Sequence, residues 1–557
     1  MSAPHVTIAG GGLAGLTAAL RLAERDYQVT LYEEKEMLGG NLASRTLRNG
    51  TVIDIYPHMY QAWYRNFWQL MEDVKVDRET NFKEFHSFHQ MRRPDDDPPL
   101  ATVTDVYSAR QVINNLFSGV APPADALVAG YASLDLLAEQ LNPTMFLENM
   151  SLTGFLNTRT YMTEPAVEAY EAFVTRVWAI PAYLISAADC HTYLTYCLPE
   201  ADKGAWLARG PAEDMVIKPL TKALEDLNVR IVRETRVEEV IRKDNRVVAI
   251  KLEGTTFDPR HYAWVGTNEY RTEAVDDLLL AVPGNTLSKL VRCGNFGERI
   301  VDADGRLAEL VRLSSQRVPM LHLCFKRKLP QVPTKPMGPV ALFNSKLSLA
   351  FTDISQVWST PEFENRTILA VSCSEPYALA GPPTEDGYAI MCELHEYLDF
   401  DKGERWEDPA SKDVDWQLTR YHSNSDAQLT LNAIGTDVWR PEAHCPKLAN
   451  LYFAGDFCQH DFGITTLEAA AATGLQAARE IVKARGRGGE VEVLLPSTLP
   501  EEVYLAYRYA LLPAAFAAKA WALPGELIHR KPRGGGGSLL RYLLTPGLPA
   551  RHRRPDS

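Results

Sequence analysis

Cysteine is scarce and follows no metal-like spacing. The eight cysteines, at 190, 197, 293, 324, 373, 392, 445 and 458, include no Cys-x-x-Cys pair and no dense array, which argues against a disulfide scaffold or a zinc ribbon, and no metal site is expected. The chain also lacks an apolar run of the roughly 18 residues that a bilayer crossing requires; the nearest stretch, 511–523, is interrupted by Pro513 and Lys519. Positive charge is in deficit, with 58 Lys and Arg against 71 Asp and Glu and a formal charge of −13, so nucleic acid is not an expected partner. Residues 1–9 show no basic and apolar leader pattern, and a cytoplasmic location is expected. There is no internal repeat. What is present is ordinary globular composition, 46% hydrophobic and 23% charged over 557 residues, long enough for two or more packed units.

Residues 5–34 read HVTIAGGGLAGLTAALRLAERDYQVTLYEE: an apolar strand, a glycine turn, an amphipathic helix and a second strand ending in acid. In this βαβ context Gly10, Gly12 and Gly15 form G-x-G-x-x-G. The first glycine permits the tight turn, the second lets backbone approach a pyrophosphate, and the third brings helix onto strand. The helix N-terminus offers its positive dipole end to the phosphates. Glu33, 18 residues beyond Gly15, stands where a carboxylate accepts both hydroxyls of an unphosphorylated ribose. A second glycine pair follows at once in 36–41, EMLGGN.

This arrangement resembles the FAD-binding domain of the flavin amine oxidase and carotene desaturase superfamily. Residues 450–482, with an Ala-Gly-Asp turn before a long Ala-rich helix, look like that family's closing FAD motif. The resemblance implies an α/β fold: a discontinuous, Rossmann-type (glutathione-reductase-like) FAD-binding domain from 1–85, 206–294 and 441–485. An α+β substrate domain with an antiparallel sheet is implied from 86–205 and 295–440, and 486–557 is a C-terminal extension. It places FAD on Gly10, Gly12, Leu13, Ala14, Gly15, Glu33, Glu34, Gly39, Gly40, Asn41, Ser44, Val237, Gly455, Asp456, Thr465 and Thr466. Asp456 would bond the ribitol or pyrophosphate, and the helix opening at Thr465 or Thr466 would face the flavin pyrimidine. Val237, in a β-meander, would hold the adenine by its backbone, with a plain buried strand valine as the competing reading.

Within the superfamily, Asp54, His58, Tyr64 and Asn66 repeat a spacing found in plant-type phytoene and zeta-carotene desaturases. Many flavin amine oxidases carry a lysine five residues before a strand aromatic, and counting back from Phe325 gives Met320. Departures from the desaturases are equally plain. Asn41 stands in place of a basic residue, Tyr56 in place of a glycine beside the flavin, and Met215 in place of an arginine, so the chain is not assigned as a phytoene desaturase. His58 is the candidate for proton transfer, because an ordinary imidazole titrates near neutrality; a histidine satisfied by packing is the competing reading. Tyr56 joins it as a candidate at the flavin face, with Tyr60 and Trp63 as further lining aromatics. A covalent flavin link through Cys458 or His460 is the remaining variant at the flavin edge.

The implied activity is an FAD-dependent oxidoreductase that desaturates a hydrophobic, isoprenoid or lipid-like substrate by hydride transfer to flavin N5, with oxygen or quinone open as acceptor. An amine or amino-acid oxidase releasing peroxide is the alternative, and a flavin-dependent double-bond isomerase or hydratase the third. The extension adds an apolar stretch and a basic tail. Over 526–557 seven Lys and Arg face two acids, a local balance of +5, which fits either peripheral contact with an anionic membrane or a packing helix followed by a Gly-rich tail.

Overall fold

The computed structural model describes residues 3–47, 50–106, 108–139, 147–178, 180–258, 263–294, 298–431 and 433–528. Its central layer is a parallel sheet of five strands, Arg230–Val232, Gln28–Tyr32, His5–Ala9, Asp277–Leu280 and Leu451–Phe453 in spatial order. Numbered along the chain that order is 3-2-1-4-5, the doubly wound arrangement whose direction reverses beside the first strand. The strands are continuous apolar runs because both faces are covered. One face packs the helices Leu13–Ala23, Lys218–Asp226 and Leu467–Arg485, and the other packs an antiparallel meander of Thr235–Lys243, Arg246–Asp258 and Ala263–Ala274. The meander turns at Asp244, which takes φ 55°, a left-handed conformation that Asp tolerates in turns.

The first and last motifs of the sequence meet in this unit. A Cβ on Gly474, within the closing helix, would lie 2.4 Å from Ala14 O and 3.0 Å from the Thr17 side chain, so the closing helix rests directly on the first helix. At the glycine turn, Gly10 has φ 106° and a Cβ on Gly15 would lie 2.1 Å from Gly10 O; the third glycine is there for close packing.

A second sheet has seven strands, in the order Arg420–His422, Met320–Cys324, Ile368–Cys373, Leu349–Asp353, Val340–Leu342, Ser87–Met91 and Leu100–Thr104. It is antiparallel except where Val340–Leu342 runs parallel to Ser87–Met91, so the antiparallel sheet expected from the sequence is mixed at this one pairing. Strand alternation sorts its side chains. Leu321 and Leu323 join a core with the helix Pro383–Leu394, whereas Met320 and Cys324 face Ile55, Tyr56 and Leu207 toward the interior of the molecule. A helical cluster, built from Pro123–Leu137, Leu152–Asn157, Glu164–Trp178 and Ala187–Cys197, caps this side.

The extension contributes the helix Glu501–Ile528. Ala515 and Ala518 are buried in the helical cluster; Arg508 pairs with Asp135 at 2.7 Å and donates to Ala138 O at 3.0 Å, and Tyr131 donates to Arg508 O at 3.1 Å. Packing is therefore part of its role. The basic residues from Arg530 onward lie outside the described residues.

Candidate functional site

A cavity of about 1540 Å³ opens at the carboxyl ends of the parallel strands and runs beneath the second sheet. A site for one drug-sized ligand is about 300–1,000 Å³, so the volume accommodates a dinucleotide together with a second molecule. Its position agrees with the rule that ligands of open α/β sheets lie outside the strand ends at the point of reversal.

At the end nearest the glycine turn, Gly10, Gly12, Leu13 and Ala14 line the wall, opposite Gly39, Gly40 and Asn41. The N-cap of the first helix is Gly12, with no side-chain cap and no acid in the first turn, which leaves its first amides and its dipole for an anion. Glu33 Oε2 accepts from Gly11 N at 2.7 Å and Oε1 from Lys35 N at 3.0 Å. Burial raises its pKa while these donors and Lys35 oppose the rise. Two bonds use half of a carboxylate's roughly four acceptor positions, so the group braces the turn and still faces the cavity with lone pairs to spare. Glu34 and Val237 line the same end; Val237 pairs with Leu252, and the ladder bulges before Glu239.

Gly455, Asp456, Thr465 and Thr466 also line the cavity. Thr466 caps the closing helix by accepting from Ala469 N at 3.2 Å. Asp456 is half-buried; desolvation raises its pKa, and it accepts from Thr430 Oγ1 at 3.1 Å. Arg440 holds this turn from behind, donating to Asp456 O at 3.1 Å. Four sequence-predicted residues stand outside the wall: Tyr60 and Trp63, which are packed in the hydrophobic core, Gly15, beneath the turn, and Ser44, which donates to Asp54 Oδ1 at 2.7 Å and accepts from Glu213 N at 3.1 Å. Ser44 is a brace for a helix start, because its hydroxyl is consumed by buried partners. Cys458 and His460 lie outside the lining as well. Burial pushes the Cys458 thiol up, away from the thiolate, and holds His460 down at about 3, so neither meets the cavity as a nucleophile.

The far end is apolar, with Met59, Ile180, Leu184, Ile185, Met320 and Phe351 among its walls, and His58 and Tyr56 border it. His58 does not have the ordinary imidazole pKa expected from the sequence: burial lowers it to about 4. His58 is neutral at pH 7, with Nδ1 donating to Tyr56 O at 2.9 Å. That tautomer makes Nε2 an acceptor. Tyr56 OH donates to Ala427 O at 2.5 Å and burial pushes its pKa well up, so it acts as a fixed neutral wall. Lys326 and Lys328, past Phe325, donate to Ser411 O at 3.2 Å and Ser355 Oγ at 3.1 Å and do not line the cavity. Among the described residues the strand Met320–Cys324 thus brings Met320, and no lysine, to the wall.

Sequence reasoning missed the segment 424–431. Asn424 donates to Val318 O at 3.1 Å, Ala427 O receives Tyr56, Gln428 O receives Asn41 Nδ2 at 3.1 Å, and Thr430 donates to Asp456. Asp426 pairs with Lys35 at 3.0 Å and with Arg45 at 3.1 Å. One stretch of chain therefore ties the glycine-pair loop, the His58 segment and the closing motif together. The polar run SNSDAQ at 423–428 marks a loop but carries no signal of these partners. Glu468 was missed too: fully buried, it accepts from Asn66 N at 2.8 Å, Asn66 Nδ2 at 2.7 Å and Phe67 N at 2.9 Å, and so fixes the closing helix to the helix Arg65–Asp73.

A three-layer dinucleotide unit, a roomy cleft at its strand ends and a second sheet over an apolar end define an FAD-dependent oxidoreductase. A family model described as flavin containing amine oxidoreductase matches residues 13–482, and the chain belongs to that family. Among curated proteins it is 24% identical over 495 residues to a 15-cis-phytoene desaturase of Synechococcus elongatus, covering 86% of this chain and 96% of that one. It is 22% identical over 520 residues to a zeta-carotene desaturase of Synechocystis, covering 87% and 98%. Among solved structures, cyclohexylamine oxidase from Brevibacterium oxydans superposes with a TM-score of 0.57 at 13% identity, covering 87% of this chain and 100% of that one, a likeness of fold.

Proposed function

We propose that the protein dehydrogenates a hydrophobic substrate, introducing a double bond, with FAD extended along the cavity. The observation that carries this reading is the composition of the far end: apolar walls, a neutral histidine, and methionine where amine oxidases have lysine. The desaturases among its relatives support an apolar, isoprenoid or lipid-like substrate. The site fits the cofactor, since the glycine turn and uncapped helix suit a pyrophosphate, Glu33 retains acceptor positions for ribose hydroxyls, and Val237 lines the cavity where the adenine would lie. Asn41 would lie beside the pyrophosphate, and Asp456 and the N-terminus of the closing helix at Thr465 and Thr466 would hold the ribitol and flavin side. When bound, FAD supplies the two-electron acceptor for a hydride. The chain's own residues do the rest: the apolar walls orient the substrate and exclude water, and His58 Nε2 accepts the second proton. Met215 packs against Gly210 and does not line the cavity, so the arginine-dependent chemistry of plant-type desaturases is not carried over.

The extension supports delivery of such a substrate from a membrane surface. Tyr507, Tyr509, Phe516 and Trp521 are exposed on a helix packed against the cluster that contains Ile180 and Ile185 of the cavity wall. Aromatic residues of this kind favour the interface. No helix among the described residues is long and apolar enough to cross a membrane. The test of function is anaerobic reduction of bound flavin by panels of isoprenoid and amine substrates. Bleaching by an apolar substrate with recovery of the desaturated product is expected; bleaching by amines alone, with peroxide on admission of air, refutes the proposal.

A further inference from the structure

Behind His58 lies a second cavity, of about 20 Å³. Its wall includes Asp54, His58, His322 and Thr352, together with Ala208 and Trp358. His58 lines both this chamber and the main cavity, so its ring is part of the partition between them. A water molecule needs about 10–15 Å³ of such volume and two to four polar partners. The chamber therefore has room for one water.

The polar groups around it have unused capacity. His58 Nδ1 is committed to Tyr56 O, which leaves Nε2 to exchange protons. His322 is 2% exposed, and its Nδ1 has no hydrogen-bond partner among the described residues. Asp54 receives Ser44 Oγ at 2.7 Å and Ala212 N at 2.8 Å, both on Oδ1, so Oδ2 keeps its acceptor positions. A lone buried polar atom is costly, and a shared water relieves it.

We propose that one water in this chamber joins His58 to Asp54 and carries protons out of the main cavity. His58 Nε2 takes a proton on the main-cavity side and, on rotation of the ring about Cβ–Cγ, gives it to the water; the water passes one of its own protons to Asp54 Oδ2 and is restored. No electron moves, and the negative charge of the Asp54 carboxylate is neutralised. Burial supports this direction, pushing Asp54 up to about 7 and holding His58 at about 4, so a proton shared by the pair rests on the carboxylate. The surroundings of the pair act consistently: Asp214 and Glu213 raise Asp54 further, and on the other side burial, reinforced by Arg45, keeps His322 neutral, at about 4. Only the origin of the proton rests on the proposed dehydrogenation; the water and its two partners do not.

The test uses flavin-loaded protein without substrate. Infrared spectra against pH are expected to show, beside the band of buried Glu468, a carboxyl band titrating near pH 7 that is absent in Asp54→Asn, which keeps an acceptor for Ala212 N. Ala208→Val fills the chamber from a position that does not line the main cavity. It is expected to shift the band and raise the midpoint, because the carboxylate loses a donor. His322→Phe, which removes a polar partner of the water, shifts both in the same direction and serves should the first variant not fold. An unchanged Asp54 band and midpoint in a folded variant overturns the proposal, as does the absence, between pH 5 and 9, of any carboxyl band that Asp54→Asn removes. With a reducing substrate in hand, Asp54→Asn is expected to slow flavin reduction about 10²-fold and to abolish its pH limb near 7. A failed substrate panel would remove the dehydrogenation reading and leave the infrared result standing.

Discussion

Gly474→Ala separates two opposing effects that ordinarily pull together in a helix. By propensity alone, replacing a glycine in the interior of Leu467–Arg485 stabilises by about 1 kcal/mol. The structure opposes this, because the new methyl would meet Ala14 O at 2.4 Å, and real contacts of this kind stay beyond 3.0 Å. Backbone of the closing helix or of the first helix must move by at least about 0.6 Å. Overpacking of this sort costs about 1–3 kcal/mol, so the net expectation is a loss of up to about 2 kcal/mol. Both helices present their N-termini to the cavity, and positional errors near 1 Å can cost about 10²-fold in a well-aligned site; FAD affinity is expected to fall about tenfold. The matched control is Gly130→Ala in Pro123–Leu137, where nothing lies within 4 Å of the added methyl and a gain of about 1 kcal/mol is expected. Urea unfolding and titration of apoprotein with FAD read both quantities. If Gly474→Ala is as stabilising as Gly130→Ala and binds FAD as the parent does, the argument that the two motifs are locked through this contact is wrong.

Glu33→Ala removes a charged acceptor for ribose and the brace on Gly11 N; at about 1.5–3 kcal/mol for hydrogen bonds to a charged group, FAD affinity should weaken about 10- to 100-fold, and unaltered binding would remove Glu33 from the site. Burial outweighs the three donors on Glu468 and lifts its pKa from 4.5 to about 7. Its contribution to stability is therefore fully present below about pH 4.5 and lost as pH rises to about 7, a loss of at most about 3 kcal/mol. Glu468→Gln should flatten urea-unfolding stability across that window, though incompletely, since Asp54 is displaced upward in the same direction; an unchanged slope would refute the assignment. Deletion of 526–557 should weaken co-sedimentation with phosphatidylserine liposomes, leaving the contribution of the exposed aromatics at 507–521, with FAD binding intact; unchanged sedimentation would exclude the tail as an anchor.

Which parts of this molecule were legible in the sequence follows from how local their physics is. The glycine turn, the uncapped helix and Glu33 lie within 29 consecutive residues, and each is dictated by a backbone requirement that only certain residue types meet. The meander and the closing helix carry periodicities that survive without context. Residues 424–431 are different. Two of their contacts are made by carbonyl oxygens, Ala427 O to Tyr56 and Gln428 O to Asn41, and a carbonyl leaves no mark in the side-chain alphabet; the partners of Asn424, Asp426 and Thr430 are set by residues far away in the chain. Ser44 misled for the complementary reason: a small polar residue near a glycine pair looks like a phosphate contact, and only the position of Glu213 N, 169 residues away, shows where its hydroxyl is used.

His58 combines both cases. Its place in the chain pointed to the cavity, and the cavity wall includes it, yet the property that made it a candidate was a solution property. Burial removes that property and leaves a neutral ring tied at Nδ1 to the carbonyl of Tyr56. Such a ring is poor at storing a proton and well arranged to pass one, so the group that stores it has to be sought next to the ring rather than in it. Asp54, four residues earlier and across a chamber that fits one water, is the group whose environment meets that requirement. The spacing of the two residues, which in the sequence was only a resemblance, acquires a physical reason: an acid and a histidine on either side of a turn, sharing a space too small for anything but water.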